Sequence, residues 1–141
     1  MIELYNLQRK IVIDAKDLSD FAAGLPEKIA EAAAKTFTVA LVPDRRMKEL
    51  NSLFRGKNST TDVLSFPHEA DAFDPDSSNL GDIVISAEQA AKQAEENGLS
   101  LDGELKQLIL HGVLHLCGYD HETDNGEMNE RELELRRKLR I

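Results

Sequence analysis

Three of the four histidines in the chain lie within one eleven-residue segment, HGVLHLCGYDH. His111 and His115 stand four residues apart in a stretch whose apolar pattern predicts a helix, and four residues advance a helix by about 400°. Both rings therefore face one side of the helix. Gly118 is a typical helix-ending residue, and a turn there can bring His121 back to the other two histidines. Because imidazole nitrogens are common metal ligands, this spacing predicts a divalent metal site.

The surroundings of these histidines favour a metal over a purely structural role. The predicted helix is otherwise strongly apolar, and imidazoles buried there without partners would be costly. Three His ligands leave one position of a tetrahedral site open, which is typical of catalytic rather than structural zinc. Zinc is the first expectation, although imidazoles also bind nickel and copper. Cys117 lies about 200° around the helix from His115 and is predicted to be a small buried residue, not a ligand.

The spacing H-x-x-x-H-x-x-G-x-x-H is also that of the metzincin metalloproteases, which makes a metallopeptidase the alternative function. Those proteases carry a glutamate general base directly after the first histidine, where this chain has Gly112. A base would have to come from elsewhere, and Asp120 and Glu122 are the nearest acids in sequence, although either could equally be surface charge. Glu104, seven residues before His111, is a candidate to orient an imidazole.

Composition predicts one domain spanning residues 1–141, with 41% hydrophobic and 30% charged residues. The single cysteine allows no internal disulfide, which fits a reducing cytosol. No signal-peptide pattern and no apolar run of about 20 residues is found, so we expect a cytoplasmic protein that does not enter a membrane.

The chain is acidic, with a formal net charge of -9, which argues against broad nonspecific binding to a polyanion. One local group of residues is nevertheless basic. On composition alone a solvated helix face is the commoner meaning of such a group. The basic residues are Arg45, Arg46, Lys48, Arg55 and Lys57.

Strand and helix patterns alternate along the chain without an internal repeat. Short β-rich runs predict strands at 2–8, 10–14, 38–42, 62–66 and 80–86. Amphipathic runs predict helices at 18–37, 45–54, 87–97, 104–117 and 127–140. Ser86, Asp102 and Asp124 are the predicted caps of the last three helices, and the acidic segment 69–79 is predicted to be a surface loop. We expect an α+β fold, with a mixed four- to five-stranded sheet packed against helices and the metal site on a central helix.

Three segments resemble the YbeY family of bacterial rRNA-processing proteins in order and spacing, over about the C-terminal two-thirds of the chain. They are NSLFRGKNSTTDVLSFP, LGDIVIS and HGVLHLCGYDHE, at residues 51–67, 80–86 and 111–122. The resemblance implies a zinc-dependent endoribonuclease that prefers single strands and acts in 16S rRNA 3′-end maturation and ribosome quality control. It places His111, His115 and His121 at the metal-ligand positions and Arg55 at a functional arginine.

The implied partners are the 16S rRNA precursor, the small ribosomal subunit with its proteins, and the GTPase Era. Arg45, Arg46, Lys48 and Lys57 would then extend a basic track for the RNA backbone. The chain has no Trp and two Tyr, few of the stacking side chains typical of single-strand binders, so we expect weak intrinsic activity. A ribosome-assembly factor with a chiefly structural metal is a further alternative.

Three other side chains have two interpretations each. Tyr119 could stack a base or support the turn that carries His121. Asp62 could hold the loop after Arg55 or serve as an ordinary turn residue. His68 is expected to be a surface residue rather than a fourth metal ligand.

Overall fold

The structure is a computed structural model that describes residues 2–69 and 78–141. Within these ranges four strands, five α-helices and one short 3-10 helix follow one another along the chain. The strands are β1 Glu3–Asn6, β2 Thr36–Val42, β3 Val63–Pro67 and β4 Asn79–Ser86, and the α-helices are α1 Ala15–Lys28, α2 Asp44–Arg55, α3 Ala87–Asn97, α4 Leu101–Leu116 and α5 Glu127–Leu139.

The strands form one mixed sheet in the order β1-β2-β4-β3. β1, β2 and β4 run parallel, whereas β3 pairs antiparallel with β4 and lies at the edge of the sheet. The predicted α+β architecture with a mixed sheet is therefore confirmed at four strands, the lower of the two expected numbers.

The side chains of the strands alternate between two apolar clusters, one on each face of the sheet. On one face Val39 and Ile83 belong to the main core, which includes residues of α1, α4 and α5. On the other face Val42 and Leu64 pack around Met47 of α2. α4 is thus the central helix, and α2 covers the sheet on the side away from it.

Gly112 allows α4 to approach β4 closely. A Cβ atom at this position would lie 2.7 Å from Ile83 Cγ2, which is closer than real carbon contacts come. A side chain at position 112 would therefore push the helix away from the sheet.

Two of the predicted elements are wrong. Residues 10–14 do not form a strand, because the Gln8 side chain donates to the Ile11 carbonyl and accepts from the Ile11 N–H, both at 2.9 Å, and closes a turn there. The first helix ends at Lys28 instead of reaching residue 37, shortly after Pro26, which lacks a backbone donor.

One of the three predicted N-terminal caps, that of α3, is confirmed. Ser86 accepts from the Gln89 N–H and caps α3 as expected. The cap of α4 is Ser100 rather than the predicted Asp102, whose carboxylate pairs with Lys106. The N-cap of α5 is Gly126 rather than the predicted Asp124, whose carboxylate accepts from the Met128 N–H. Most of the predicted acidic loop, 69–79, lies outside the described residues.

In the part of the chain that the structure describes, no helix combines the length and the apolar character that crossing a bilayer requires.

Candidate metal centre

α4 ends in a tight turn that reverses the chain after His115. The Tyr119 N–H donates to the Leu114 carbonyl at 3.1 Å, and the Gly118 N–H donates to the His115 carbonyl at 3.0 Å. These two bonds form a Schellman motif, which needs a left-handed residue at Gly118, where φ is +101°. The turn predicted at this glycine is therefore present and leads the chain back toward the helix.

The turn brings the three histidines together. The centroid of the His111 ring lies 4.7 Å from that of His115 and 5.5 Å from that of His121, and the His115 and His121 centroids are 5.1 Å apart. One ligand nitrogen from each ring lies within 4.8 Å of the others. Among residues 2–69 and 78–141, no other His, Cys, Asp or Glu joins this group.

Two of the rings are oriented by hydrogen bonds from their Nδ1 atoms. His111 Nδ1 donates to the carboxylate of Glu132, which is buried and is also paired with Arg136. His115 Nδ1 donates to the Tyr119 carbonyl at 3.0 Å. Both bonds leave the Nε2 atoms as the ligands, which is the arrangement found around metal-binding histidines. This donor set fits a divalent ion such as zinc.

The protonation of the site also suits metal binding. Burial lowers the pKa of His115, and its neighbours His111 and His121 lower it further, so the ring is neutral at physiological pH, as a metal ligand must be. Burial raises the pKa of Glu132, but the hydrogen bond from His111 and the charge of Arg136 outweigh it, and the pKa lies below its ordinary value. Glu132 therefore remains a carboxylate.

Glu132 is a functional residue that the sequence analysis missed, having suggested Glu104 for this task. Glu104 is buried on α4, and burial raises its pKa, but it makes no hydrogen bond to an imidazole within the described residues. A pattern that could have revealed Glu132 is its position on α5: it lies four residues after buried Met128 and three before buried Leu135. An acid on the apolar face of an amphipathic helix needs a buried partner.

The histidines form one wall of a cleft of about 620 Å³. Arg55, the edge strand β3 and the turn 118–122 also line this cleft. The Arg55 guanidinium lies 3.6 Å from a Glu122 carboxylate oxygen, so the arginine spans the cleft toward the metal-binding turn. Asp120 and Glu122 both line the cleft, as a candidate base would have to. The structure thus brings Arg55 and the three histidines into one site.

The remaining basic residues lie outside this cleft. Arg45 and Arg46 line a separate groove at the start of α2, and Arg46 forms a surface salt bridge with Glu49 at 2.9 Å. Lys48 and Lys57 are exposed and line neither the cleft nor the groove. Their assignment to RNA binding remains a prediction.

Tyr119 and Asp62 both line the cleft, and their hydrogen bonds support the structural interpretation of each. The Tyr119 hydroxyl donates to Glu31 at 3.3 Å, so the ring supports the turn. Asp62 accepts from the Val63 N–H at 2.8 Å and from the Thr61 hydroxyl, as a turn residue does. Cys117 donates to the Glu31 carbonyl and is not part of the metal group, and neither is His68.

Comparison with known proteins places the chain in a family. The family model described as endoribonuclease YbeY matches residues 3–140. A Nautilia profundicola relative named endoribonuclease YbeY is 54% identical over 107 residues, which cover 76% of this chain and 74% of the relative. A relative of the same name from Helicobacter pylori is 47% identical over 119 residues, covering 83% of this chain and 81% of the relative.

The fold is shared as well. The solution structure of a Thermotoga maritima protein superposes with a TM-score of 0.66 at 29% identity, covering 98% of this chain and 88% of that one. Sequence and fold agree over nearly the whole length, and the three histidines and Arg55 lie in one cleft of it. The chain therefore belongs to the endoribonuclease YbeY family.

Proposed function

We propose that this protein is a zinc-dependent endoribonuclease that cuts single-stranded RNA in the cleft between α4 and β3. The observation that carries the proposal is a group of three converging imidazoles, two of them oriented through Nδ1, in a cleft that an arginine also lines. A site built from three imidazoles and a guanidinium suits a phosphodiester, whose charge increases as it reacts.

Arg55 binds the phosphate of the RNA in this proposal. A guanidinium can donate two parallel hydrogen bonds to phosphate oxygens, so the phosphate displaces Glu122 from its 3.6 Å contact and takes its place. His111, His115 and His121 would hold the zinc ion, which would supply Lewis-acid chemistry in this cleft. Asp120 and Glu122 are the acids of the cleft that are placed to accept a proton.

The biological role that we propose is maturation of the 16S rRNA 3′ end and ribosome quality control in the cytoplasm. The 16S precursor, proteins of the small ribosomal subunit and the GTPase Era are the proposed partners. A partner that presents the RNA suits a chain with a net charge of -9, because long-range attraction of RNA to such a protein is weak.

The packing of Gly112 weighs against the metallopeptidase alternative. The glutamate base of the metzincin pattern would occupy this position, where even a Cβ atom would lie 2.7 Å from Ile83. The helix therefore cannot carry that base without moving away from β4.

The test is cleavage of a fluorescent single-stranded RNA together with measurement of bound metal. We expect His115→Ala to lose both metal and cleavage. Arg55→Gln should retain the metal and lose about 100-fold in cleavage rate, because a transition-state contact is removed. Arg137→Gln is the matched control: it changes an exposed arginine on α5 that does not line the cleft, and it should cleave normally.

Cleavage that is undiminished in both His115→Ala and Arg55→Gln would show that a contaminant performs it, and would leave the assembly-factor alternative. Digestion of casein by the wild type but not by His115→Ala would overturn the ribonuclease assignment in favour of a peptidase.

A further inference from the structure

Two large apolar side chains are exposed at the end of α2, next to Arg55. The Leu53 side chain is 74% exposed and Phe54 is 60% exposed, although most of this helix surface is polar. Exposed apolar residues beside a cleft are candidates for binding, whereas single ones scattered elsewhere need no explanation. Of the two, Phe54 makes a defined contact with a second aromatic ring.

The Phe54 ring is held in place by a second aromatic ring. Its centroid lies 5.1 Å from that of Phe66, with an angle of 71° between the ring planes, which is an edge-to-face contact. Phe66 in turn packs against the apolar cluster of Met47 and Leu64 between α2 and the sheet. Phe54 therefore has one side fixed by the core and the rest of its ring open.

The chain neighbours of Phe54 and Phe66 line the cleft. Arg55, the next residue after Phe54, lines the cleft, and so do Ser65 and Pro67 on either side of Phe66. Because side chains alternate along a strand, Phe66 lies on the opposite face of the edge strand β3. The pair thus lies on the face of β3 away from the cleft, while Arg55, the residue after Phe54, lines the cleft and pairs with Glu122 of the metal-binding turn.

We propose that Phe54, supported by Phe66, stacks an unpaired base of the RNA next to the phosphate that Arg55 holds. The inference rests on the proposed ribonuclease function and deepens it. Aromatic rings bind bases of any sequence through their π faces, and nearby cations bind the adjoining phosphates. Lys57 is exposed two residues beyond Arg55 and supplies a further cation. In a duplex the bases already stack on one another, so such a platform selects single strands.

The chain itself offers a direct probe of stacking. It contains no Trp, so Phe54→Trp introduces a single indole fluorophore at the platform. We expect its fluorescence to be quenched by a single-stranded RNA oligonucleotide. Duplex RNA of the same sequence, and a strand with abasic positions that keeps the phosphates, should quench it far less. Equal quenching by the abasic strand would overturn the proposal.

Substitutions then separate stacking from general apolar contact. Phe54→Leu keeps an apolar side chain without a π face and should weaken single-strand binding by about tenfold, whereas Phe54→Tyr should bind like the wild type. Leu53→Ala is the matched control on the same exposed helix end and should bind normally. Equal losses in Leu53→Ala and Phe54→Leu would show an apolar docking surface, as for a protein partner, and would refute stacking.

Failure of the stacking role of Phe54 can be distinguished from failure of the proposed ribonuclease function. If the wild type cleaves RNA through His115 and Arg55 while Phe54→Leu binds and cleaves normally, the ribonuclease assignment stands and the stacking role is wrong. If the wild type cleaves no RNA, both fail.

Discussion

His111 depends on a residue that is distant in sequence. Its Nδ1 atom donates to Glu132, a buried carboxylate on α5 that Arg136 also contacts. Such a partner fixes the ring orientation and raises the basicity of the opposite nitrogen, and both effects strengthen metal binding. The metal site therefore includes α5 as well as α4 and its turn.

Replacing Glu132 should weaken metal binding with little change in the cleft itself. We expect Glu132→Gln to lower zinc affinity by about 10- to 100-fold, because the charged acceptor for His111 is lost. Competition with a chromophoric chelator measures the affinity. Glu130→Gln, an exposed glutamate on the same helix, is the control and should match the wild type. Unchanged affinity in Glu132→Gln would show that His111 needs no carboxylate.

The site residues that lie close together along the chain could be predicted from the sequence. The His111–His115 spacing and the turn at Gly118 involve residues within one segment, so helix geometry alone indicated their convergence. Glu132 lies 21 residues from His111, and nothing in the periodicity of α4 points to it. Similarly, the contact of Arg55 with Glu122 depends on how two separate elements are packed.

At the scale of elements, the contact between α4 and β4 sets the position of the metal-binding helix. Gly112 permits that contact, since a Cβ would meet Ile83 at 2.7 Å. The glycine is costly for a helix by about 1 kcal/mol relative to alanine. Its presence in the middle of α4 is explained by the close approach to the sheet.

A side chain at position 112 should destabilise the protein, and the loss of unfolding free energy should depend on the Ile83 side chain. We expect Gly112→Ala to lower the free energy of unfolding by about 1–2 kcal/mol, because overpacking outweighs the gain in helix propensity. In an Ile83→Ala background the same change should be neutral or stabilising. Urea denaturation of the four proteins gives the coupling, and simple additivity would contradict the packing argument.

The bounds of the last four helices were predicted to within three residues, whereas the end of α1 and the strand at 10–14 were not. Gly56 and Gly98 end α2 and α3 in left-handed conformations, which glycine adopts without strain. Residues 10–14 have a strand-like pattern but form a turn with Gln8, and no propensity scale includes that side-chain contact. The order of the strands in the sheet also depends on contacts between distant segments.

At the scale of the whole molecule, one ion pair joins the N-terminal part of the chain to the last helix. Arg131 of α5 donates to both carboxylate oxygens of Glu31, with Nη2 at 2.8 Å from Oε1. Glu31 also accepts from Tyr119, whose carbonyl orients His115. The pair therefore supports the metal-binding turn from a segment about 90 residues earlier.

The contribution of Glu31 to stability should depend on pH. The hydrogen bonds from Arg131 hold the pKa of Glu31 below its ordinary value of 4.5. A lowered pKa in the folded state stabilises the fold above the unfolded pKa, and this contribution is lost as the pH falls through the folded pKa. We expect Glu31→Gln to lower the free energy of unfolding by about 2 kcal/mol at pH 7.

The loss of unfolding free energy in Glu31→Gln should persist at pH 5.5. It should shrink as the pH falls below 4.5, the ordinary pKa of a glutamate. Urea denaturation at several pH values measures it. Glu27→Gln, an exposed glutamate nearby, should stay within about 0.5 kcal/mol of the wild type at every pH. A deficit that grows in acid would contradict the assigned ion pair.

The location of Glu132 on the final helix has a consequence for protein synthesis. Chains are made from the N-terminus, and domains fold in that order as they emerge. All three histidines are synthesised before Glu132, whose carboxylate orients His111. A growing chain thus carries its three histidines before it carries the carboxylate that orients His111, and that orientation is complete only once α5 has docked.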